Sequence, residues 1–370
     1  MLSKSDRWKQ RAFIAVLGFL VLFDGGVPYS AAALGFALLS MLLFFSTFET
    51  SERSVLYRLR SRSIAVALVV TVQAVVMTQW DESGRTAHSV WLHLREEFGA
   101  MGGTPAVTRS QAIWELPGAL LPLMGFAVSI FLHRRTRDAE RLWNTLALFG
   151  GTFAVYGLLQ QTFFPTWHFG DRSDYVDSLS GFYVNRNVAA AFLVMTSLAT
   201  LVIVDRDLDT FDLTHWRRIL RRRSVWRRVD RRLAMNVGLL LLELVALLLT
   251  KSRAGSVIGV GAISAFAYWR WRDRFAGSFV PSKRFMVLGI LFACLFLLLI
   301  SGRVAERYDL QGLDDGRWCV YPAILRLAID GLPWGVGLGG FTNAFASYRQ
   351  PSCGIGGIWD SAHDLYLQGV

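Results

Sequence analysis

The chain has 370 residues, of which 53% are hydrophobic and 13% aromatic, and its mean hydropathy is +0.37. A soluble domain of this length would be less apolar and more highly charged. Because the apolar residues also come in long runs, the composition excludes an ordinary soluble enzyme and predicts an all-α polytopic membrane protein. The net charge of +11 would suggest nucleic-acid binding in a soluble protein. In a membrane protein, the distribution of the basic residues between the two sides of the membrane predicts its orientation.

About nine transmembrane helices are predicted within residues 1–301, each near the length that crosses about 30 Å of hydrocarbon. They lie near residues 12–25, 31–48, 63–80, 116–133, 142–164, 188–204, 233–250, 254–269 and 285–301. The basic N-terminus and the first apolar run resemble a signal peptide, but no small-residue cleavage pattern follows directly. We therefore interpret that run as the first span, and residues 302–370 as a loop region outside the membrane.

The basic residues predict the orientation. The N-terminus and the segments 49–62, 134–141, 205–232 and 270–284 carry 27 of the 39 lysines and arginines, and all five lie on one side if the nine spans hold. That side is cytoplasmic by the positive-inside rule, so the N-terminus is cytoplasmic and residues 302–370 face the periplasm of a bacterium. The arginines at 217–232 are interpreted as a topology anchor beside anionic lipid, and no nucleic-acid partner is expected. Because an odd number of spans leaves the chain ending outside, further helices are expected beyond its last residue.

Three arginines on the predicted outer side lie beside spans. Arg186 precedes the span at 188, Arg253 lies in a very tight turn between two spans, and Arg317 follows a glycine in the last part of the chain. A charge at the membrane boundary is unfavourable unless it is paired, and a guanidinium matches the oxygens of phosphate with a rigid set of donors. We therefore predict that these arginines bind a lipid diphosphate. Snorkelling or pairing with carboxylates is the alternative.

His363 is the candidate general base, because an imidazole titrates near neutral pH and the neighbouring Asp364 can set its tautomer. A purely structural histidine is the alternative. The glycine-rich segment 335–340 matches a dinucleotide-binding pattern in form, but no βαβ unit surrounds it, so a tight loop or close backbone packing is predicted. Glu243 lies deep in the span 233–250, where a packing role and a relay role are both open.

No metal or other cofactor is expected, since no metal-ligand spacing occurs in the sequence. The spacing of Asp171, Asp174 and Asp177 suggests calcium, but no EF-hand pattern follows, so a solvated loop is favoured. A disulfide between Cys319 and Cys353 is left open, because sequence spacing does not prove proximity.

Five motifs together resemble the O-antigen ligase and O-antigen polymerase family of bacterial polyprenyl-diphosphate glycan transferases. They are Gly-Phe-Tyr-Val-Asn-Arg-Asn at 181–187, Leu-Thr-Lys-Ser-Arg-Ala-Gly at 249–255, Gly-Arg at 316–317, Pro-Trp-Gly-Val-Gly-Leu-Gly-Gly-Phe at 333–341 and Ala-His-Asp-Leu-Tyr-Leu at 362–367. The resemblance covers about half of the chain, mainly residues 180–260 and 314–368. Two positions depart from the family pattern: Val188 stands where the family often has histidine, and Asp364 where it commonly has asparagine or serine.

The resemblance implies a GT-C-like glycosyltransferase bundle in the bacterial inner membrane with a periplasmic loop region. It implies metal-independent, inverting transfer of a glycan from undecaprenyl diphosphate to an acceptor hydroxyl, which in the ligases belongs to a lipid A-core sugar. Arg253 and Arg317 would bind the diphosphate and His363 would activate the acceptor. The partners would be the polyprenyl-diphosphate-linked donor, a glycan or lipid acceptor, and membrane lipids. A polysaccharide polymerase, a protein O-oligosaccharyltransferase and, from another class, a transporter of lipid-linked saccharides remain open.

Overall fold

The computed structural model describes residues 4–23, 28–48, 61–99, 102–133, 135–165, 178–209, 231–275, 317–332 and 335–350. The helices in these ranges are α1 (Lys4–Leu22), α2 (Tyr29–Phe48), α3 (Ser61–Val76), α4 (Ser89–Phe98), α5 (Arg109–Leu132), α6 (Thr136–Phe163), α7 (Arg186–Asp209), α8 (Arg231–Leu249), α9 (Arg253–Phe275), α10 (Arg317–Asp330) and α11 (Phe341–Phe345). Beyond the helices, the described ranges hold turns and one isolated β-bridge, between Asp81 and Gly103. The predicted all-α class is therefore confirmed.

Five of the described helices, α2, α5, α6, α7 and α8, are long and apolar enough to cross a membrane. Helices α1, α3 and α9 coincide with three further predicted spans but fall short in length or apolarity. The predicted span 63–80 is helical only to Val76, and the predicted span 285–301 lies outside the described residues. The structure thus supports a multi-pass membrane protein, while the count of nine spans and the GT-C-like architecture stay predictions.

The chain divides into two compact units. The first contains residues 1–16, 26–132 and 307–370, and the second contains residues 17–25 and 133–306. The predicted boundary near residue 301, between the helical bundle and a periplasmic loop region, stays a prediction.

In the first unit, α2 and α5 pack against each other and run parallel. A Cβ on Gly118 would contact Ala32, and a Cβ on Gly125 would contact Leu39, seven residues further along both helices. The register between the helices is therefore constant along their length. A Cβ at either position would meet its neighbour at an ordinary van der Waals distance (3.8 and 3.9 Å), so an alanine would also fit there.

The start of α1 and the ends of α2 and α5 lie together in this unit. Lys9 donates a hydrogen bond through Nζ to the carbonyl of Phe45 (3.0 Å), and Gln10 donates through Nε2 to the carbonyl of Leu132 (3.0 Å). At the other end, Arg109 at the start of α5 donates through Nε to the carbonyl of Thr78, just after α3 (3.0 Å). Within this unit the start of α1 therefore lies beside the ends of α2 and α5, while the orientation of these helices in a membrane stays a prediction.

The segment between α3 and α5 folds around a carboxylate and two tryptophans. Asp81 accepts hydrogen bonds from the backbone N–H and the hydroxyl of both Ser83 and Thr86. These bonds hold the pKa of Asp81 well below its usual value. The ring of Trp80 meets that of Trp91 edge to face, with centroids 5.5 Å apart. This predicted outer loop is therefore an ordered structure.

Helices α10 and α11 form a small core in the same unit. Val320, Ile324 and Leu327 recur at helical spacing on one face of α10 and pack against Ala344 and Phe345 of α11. All five side chains are buried. The glycine-rich segment 335–340 connects these two helices, so their packing fixes both ends of that segment.

The second unit is an antiparallel bundle of α6, α7, α8 and α9 around an aromatic core. Phe153 of α6 is fully buried and contacts three rings, those of Phe182, Tyr183 and Phe192, at centroid distances of 5.9, 5.3 and 5.1 Å. Aromatic pairs at such distances add to the stabilisation from burial alone. The core therefore joins α6 to α7 and to the segment just before α7.

Charged residues connect one end of all four helices of this bundle. They come from the start of α6, the end of α7, the start of α8 and the end of α9. The pairs are Arg206–Glu140 (3.4 Å), Arg232–Asp207 (3.7 Å) and Arg270–Asp205 (2.6 Å). This is the end that the basic residues predict to be cytoplasmic.

Helix α9 approaches α7 closely through two glycines spaced four residues apart. A Cβ on Gly255 would overlap the Cβ of Ala190, and a Cβ on Gly259 would lie 2.7 Å from Val194. This small-xxx-small pattern lets two helix backbones come together in a membrane bundle. It brings the first turn of α9 directly against the first turn of α7.

We expect Gly255→Ala to lower the thermal stability of the second unit by about 1–3 kcal/mol, because the new methyl group must push α9 away from α7. The matched control is Gly261→Ala in the same helix, where a Cβ meets nothing within 4 Å. That control should be neutral or stabilising by up to about 1 kcal/mol, since alanine favours helix more than glycine does. Thermal unfolding of the detergent-solubilised protein measures both, and equal midpoints would contradict the packing described for α9.

A second prediction concerns pH and α4. The helix begins after His88, whose Nδ1 accepts a hydrogen bond from the N–H of Val90 (3.3 Å), and burial lowers the pKa of His88. Because the folded state favours the neutral imidazole, this stabilisation is complete above about pH 6.5 and is lost as the pH falls further. Amide hydrogen exchange along α4, corrected for intrinsic rates, should therefore increase below that pH. His88→Asn keeps an N-cap acceptor that does not titrate. If this variant shows the same pH dependence, protonation of His88 is not its cause.

Candidate functional site

The three arginines predicted to bind diphosphate each stand at the first position of a helix. Arg186 begins α7, Arg253 begins α9 and Arg317 begins α10. Arg186 is half-buried, whereas the side chains of Arg253 and Arg317 lie outside the described part of the structure. His363 and Asp364, the predicted general base and its partner, lie outside the described residues altogether.

The first turns of α7 and α9 are joined by a hydrogen bond between side chains. Ser252 Oγ donates to Oδ1 of Asn187 over 2.8 Å. The same Ser252 oxygen accepts from the N–H of Gly255 (3.2 Å), which caps α9, and the N–H of Asn187 donates to Oδ1 of Asn185 (2.8 Å). Arg186 precedes Asn187 and Arg253 follows Ser252, so the structure brings two of the predicted site residues to adjoining helix starts.

The end of α8 is bound to the same region. The N–H of Leu179, in the segment before α7, donates to the carbonyl of Leu249, the last residue of α8 (2.9 Å). The chain then turns through Lys251, which has a left-handed backbone with φ of 54°. A side chain in that conformation is unfavourable relative to glycine, so the turn between α8 and α9 is strained and tightly determined. The position of Ser252 therefore depends on where α8 ends.

Two adjacent helix N-termini make this region attractive to an anion. Unpaired N–H groups at a helix start carry roughly half a positive charge, and anions are bound there with backbone donors. An arginine at the first position adds a full positive charge where a cation is unfavourable unless an anion is near. The arrangement of α7 and α9 therefore concentrates positive potential at one end of the second unit.

Arg109 shows that a helix can begin with an arginine for a structural reason. It begins α5, and its Nε donates to the carbonyl of Thr78. The first position of a helix is thus not by itself a sign of ligand binding. What distinguishes Arg186 and Arg253 is that their two helix starts are held together by Ser252 and Asn187.

The glycine-rich segment of the first unit is a closely packed loop, as predicted. Gly335, Gly337 and Gly339 have φ angles of 70°, 82° and 69°, a conformation that side chains rarely adopt. A Cβ on Gly337 would also overlap Ala106. The glycines are therefore required by the backbone and by the absence of space, and the prediction of tight backbone packing is confirmed.

The same loop is attached to the start of α5 by polar contacts. The N–H of Val107 donates to the carbonyl of Val336 (3.1 Å). Asn343, in α11, donates through Nδ2 to Thr108 Oγ1 (3.2 Å) and to Gln111 Oε1 (3.1 Å). These bonds join the loop that follows α10 to the predicted outer end of α5.

Within the described residues, no group of three histidine, cysteine, aspartate or glutamate side chains could hold a metal ion. The residues considered above for calcium and for a disulfide fall outside the description. They are Asp171, Asp174, Asp177 and Cys353, together with the side chain of Cys319.

Sequence reasoning missed the contacts that assemble the site. Ser252 and Asn187 were seen only as neighbours of the arginines, and their hydrogen bond joins residues 65 positions apart. One signal was present in the sequence: glycines at 255 and 259 form a pattern typical of close helix packing. That pattern alone does not identify α7 as the partner of α9.

Residues 238–369 match the family model described as O-antigen ligase. The match confirms the family resemblance over the C-terminal part of the chain. It includes Arg253, Arg317, His363 and Asp364, and it begins after Arg186. Comparisons with curated proteins and with solved structures find no match.

We expect Asn187→Asp and Asn187→Ala to separate stability from anion binding. Aspartate keeps an acceptor for Ser252 and is favourable by about 0.3–1 kcal/mol at a helix start, so thermal stability should be kept or raised. Its negative charge should weaken binding of inorganic diphosphate at least tenfold. Alanine removes the acceptor and should lower stability with a smaller effect on binding. Thermal unfolding at increasing diphosphate concentration measures both, and parallel changes in the two variants would contradict an anion site here.

Proposed function

Because residues 238–369 carry a domain of the O-antigen ligase family, we propose that this membrane protein transfers a glycan from undecaprenyl diphosphate to an acceptor hydroxyl. The reaction takes place at the periplasmic face of a bacterial inner membrane, and the acceptor is a lipid A-core sugar, as in the ligases. The observation that supports this proposal best is the junction of α7 and α9, where Ser252 bonds Asn187. It gives Arg186 and Arg253 adjoining positions at two helix starts that favour an anion.

The diphosphate of the donor binds at this junction in the proposed mechanism. Backbone N–H groups in the first turns of α7 and α9 donate to phosphate oxygens, and the guanidinium groups of Arg186 and Arg253 neutralise the charge. The polyprenyl chain stays in the bilayer beside the apolar helices. Arg317, which lies in the matched family domain, is a further proposed diphosphate ligand.

The chemical step is a displacement at the anomeric carbon of the glycan. His363 takes the proton from the acceptor hydroxyl, with Asp364 holding the imidazole in the required tautomer. The hydroxyl oxygen forms the new glycosidic bond while the bond from the anomeric carbon to the diphosphate oxygen breaks. The bonding electrons leave with undecaprenyl diphosphate, whose developing charge the arginines stabilise. Attack from the face opposite the leaving group inverts the anomeric configuration, and the imidazolium returns its proton to water.

A polymerase would use the same donor chemistry and differ only in the acceptor, which would be another lipid-linked glycan. A protein O-oligosaccharyltransferase would present a serine or threonine hydroxyl. A transporter would move the donor across the bilayer and form no new glycosidic bond. These alternatives are distinguished by the product, so one assay with several acceptors separates them.

The test uses the full chain reconstituted in vesicles with an undecaprenyl-diphosphate glycan and three acceptors: lipid A-core, a second lipid-linked glycan and a serine-containing protein. Mass spectrometry identifies the product. We expect transfer to lipid A-core, reduced at least 10²-fold by Arg253→Ala and by His363→Ala, the size of loss typical for removing an oxyanion donor or a general base. Arg186→Ala should mainly raise the donor KM.

Arg85→Ala is the matched control, since it removes an exposed arginine on the predicted outer side, in the loop after α3. It should transfer at the wild-type rate. Full activity of Arg253→Ala and His363→Ala would overturn the proposed mechanism. Movement of the donor across the vesicle membrane without any new glycosidic bond would show that the protein is a transporter and not a transferase.

A further inference from the structure

Glu243 is a fully buried carboxyl group in the middle of the second unit. It lies in α8, with 0% of the residue exposed, and neither carboxyl oxygen has a hydrogen-bond partner of good geometry among the described residues. A buried ionisable group in a membrane helix is unfavourable and needs a reason. The proposed transfer reaction makes no use of it.

The carboxyl of Glu243 lies where three helices meet. A Cβ on Gly150 of α6 would overlap the carboxyl and the side chain of Thr196 of α7, so the space beside Gly150 is filled by these two groups. The hydroxyls of Thr200, Ser197 and Thr196 lie against the same carboxyl. These three hydroxyls all belong to α7.

Two of these hydroxyls already donate their single proton to a backbone carbonyl. Thr196 donates to the carbonyl of Leu193 (3.2 Å), and Thr200 donates to the carbonyl of Thr196 (3.1 Å). A threonine hydroxyl has one proton, so both oxygens present lone pairs to Glu243. A proton carried by the carboxyl group is the donor that these lone pairs can accept. The contact is then an interhelical hydrogen bond from α8 to α7.

Near its start, α8 is bonded to α7 by Asn236, whose Nδ2 donates to Oδ2 of Asp207 (2.6 Å), and by the ion pair between Arg232 and Asp207 (3.7 Å). The part of α8 that leads to Ser252 has no second polar side chain of this kind. Between Gly238 and Thr250, Glu243 is the single polar residue in a run of leucine, valine and alanine. An almost uniform leucine surface packs about equally well after a shift of one helical turn, about 5.4 Å. A single buried polar residue removes such alternatives, as a buried asparagine does in a coiled coil.

We propose that Glu243 is a positioning residue, which sets the height of α8 against α7 and thereby holds the turn that carries Ser252 and Arg253 beside Asn187. This inference rests on the proposed function, because it concerns the geometry of that diphosphate site. Leu249 ends α8 six residues after Glu243 and bonds the N–H of Leu179 (2.9 Å). A shift of α8 by one turn would break this bond and the Ser252–Asn187 bond together.

The variants Glu243→Leu and Glu243→Gln test the proposal in the reconstituted full chain. Leucine fills the site without a polar group, and buried polar groups replaced in this way often leave stability unchanged or raised. Glutamine keeps the shape and supplies N–H donors to the hydroxyl lone pairs. We therefore expect Glu243→Leu to keep its thermal midpoint but raise the donor KM at least tenfold, and Glu243→Gln to stay within about threefold of wild type. A merely structural role would lower stability and transfer together in Glu243→Leu.

A second measurement is independent of any activity. Spin labels on Val184 and Ala254, both exposed and on either side of the α7–α9 junction, report the distance between the two helix starts. The labels are placed in a background with Cys294, Cys319 and Cys353 replaced by serine. We expect one narrow distance in the otherwise unaltered protein and in Glu243→Gln, and a broad or double distribution, with components about 5 Å apart, in Glu243→Leu.

A narrow, unchanged distance in Glu243→Leu overturns the proposal, and so does a wild-type donor KM in that variant. Glu243→Gln behaving like Glu243→Leu also overturns it, since hydrogen bonding would then not be what the carboxyl supplies. If neither the wild type nor any variant transfers glycan, but the spin-label distances follow the expected pattern, the proposed function fails. The structural part of the inference then stands. If Arg253→Ala loses transfer while Glu243→Leu is indistinguishable from wild type, the inference alone fails.

Discussion

The hydrogen bond from Ser252 to Asn187 joins the N-terminal ends of α9 and α7, which would otherwise repel each other because both carry partial positive charge. Each of the two residues lies at the positive end of a helix, and each is followed or preceded by an arginine. The close approach at Gly255 and Ala190 brings the helices together, and the side-chain bond holds their first turns in place. Partial positive charge at two adjoining helix starts favours an anion between them, and the donor diphosphate of the proposed function is such an anion.

Helix content and several local features follow from the sequence because they depend on short stretches of chain. Long apolar runs cannot satisfy their backbone groups in lipid except as helices, so the class and the approximate position of most described helices were predictable. The segment 335–340 was also interpreted correctly, since the lack of a βαβ unit excluded a nucleotide site and glycine spacing indicated tight packing. In these cases the physical cause lies within a few residues of the feature.

Other features depend on contacts between distant parts of the chain. The amphipathic helix α4 lies within a predicted outer loop, and its polar surface gave no apolar run to recognise. The sequence places Glu243 deep in a span, but it does not show which groups surround the carboxyl. Those groups are hydroxyls of α7, and they bear on whether Glu243 has a packing role or a relay role. The adjoining positions of Arg186 and Arg253 likewise depended on which helix packs against the glycines of α9. A sequence shows that such residues need partners without showing which partners they have.

The parallel packing of α2 and α5 constrains how the first unit assembles during synthesis. Antiparallel neighbours such as α8 and α9 can associate as a hairpin as soon as both have been made, because a short turn connects them. Parallel neighbours cannot, since α3 and the loop around Asp81 separate α2 from α5 in the chain. The surface of α2 that carries Ala32 and Leu39 therefore has no α5 to pack against until that helix has been made. The glycines at 118 and 125, arriving later, provide the surface against which α2 finally packs.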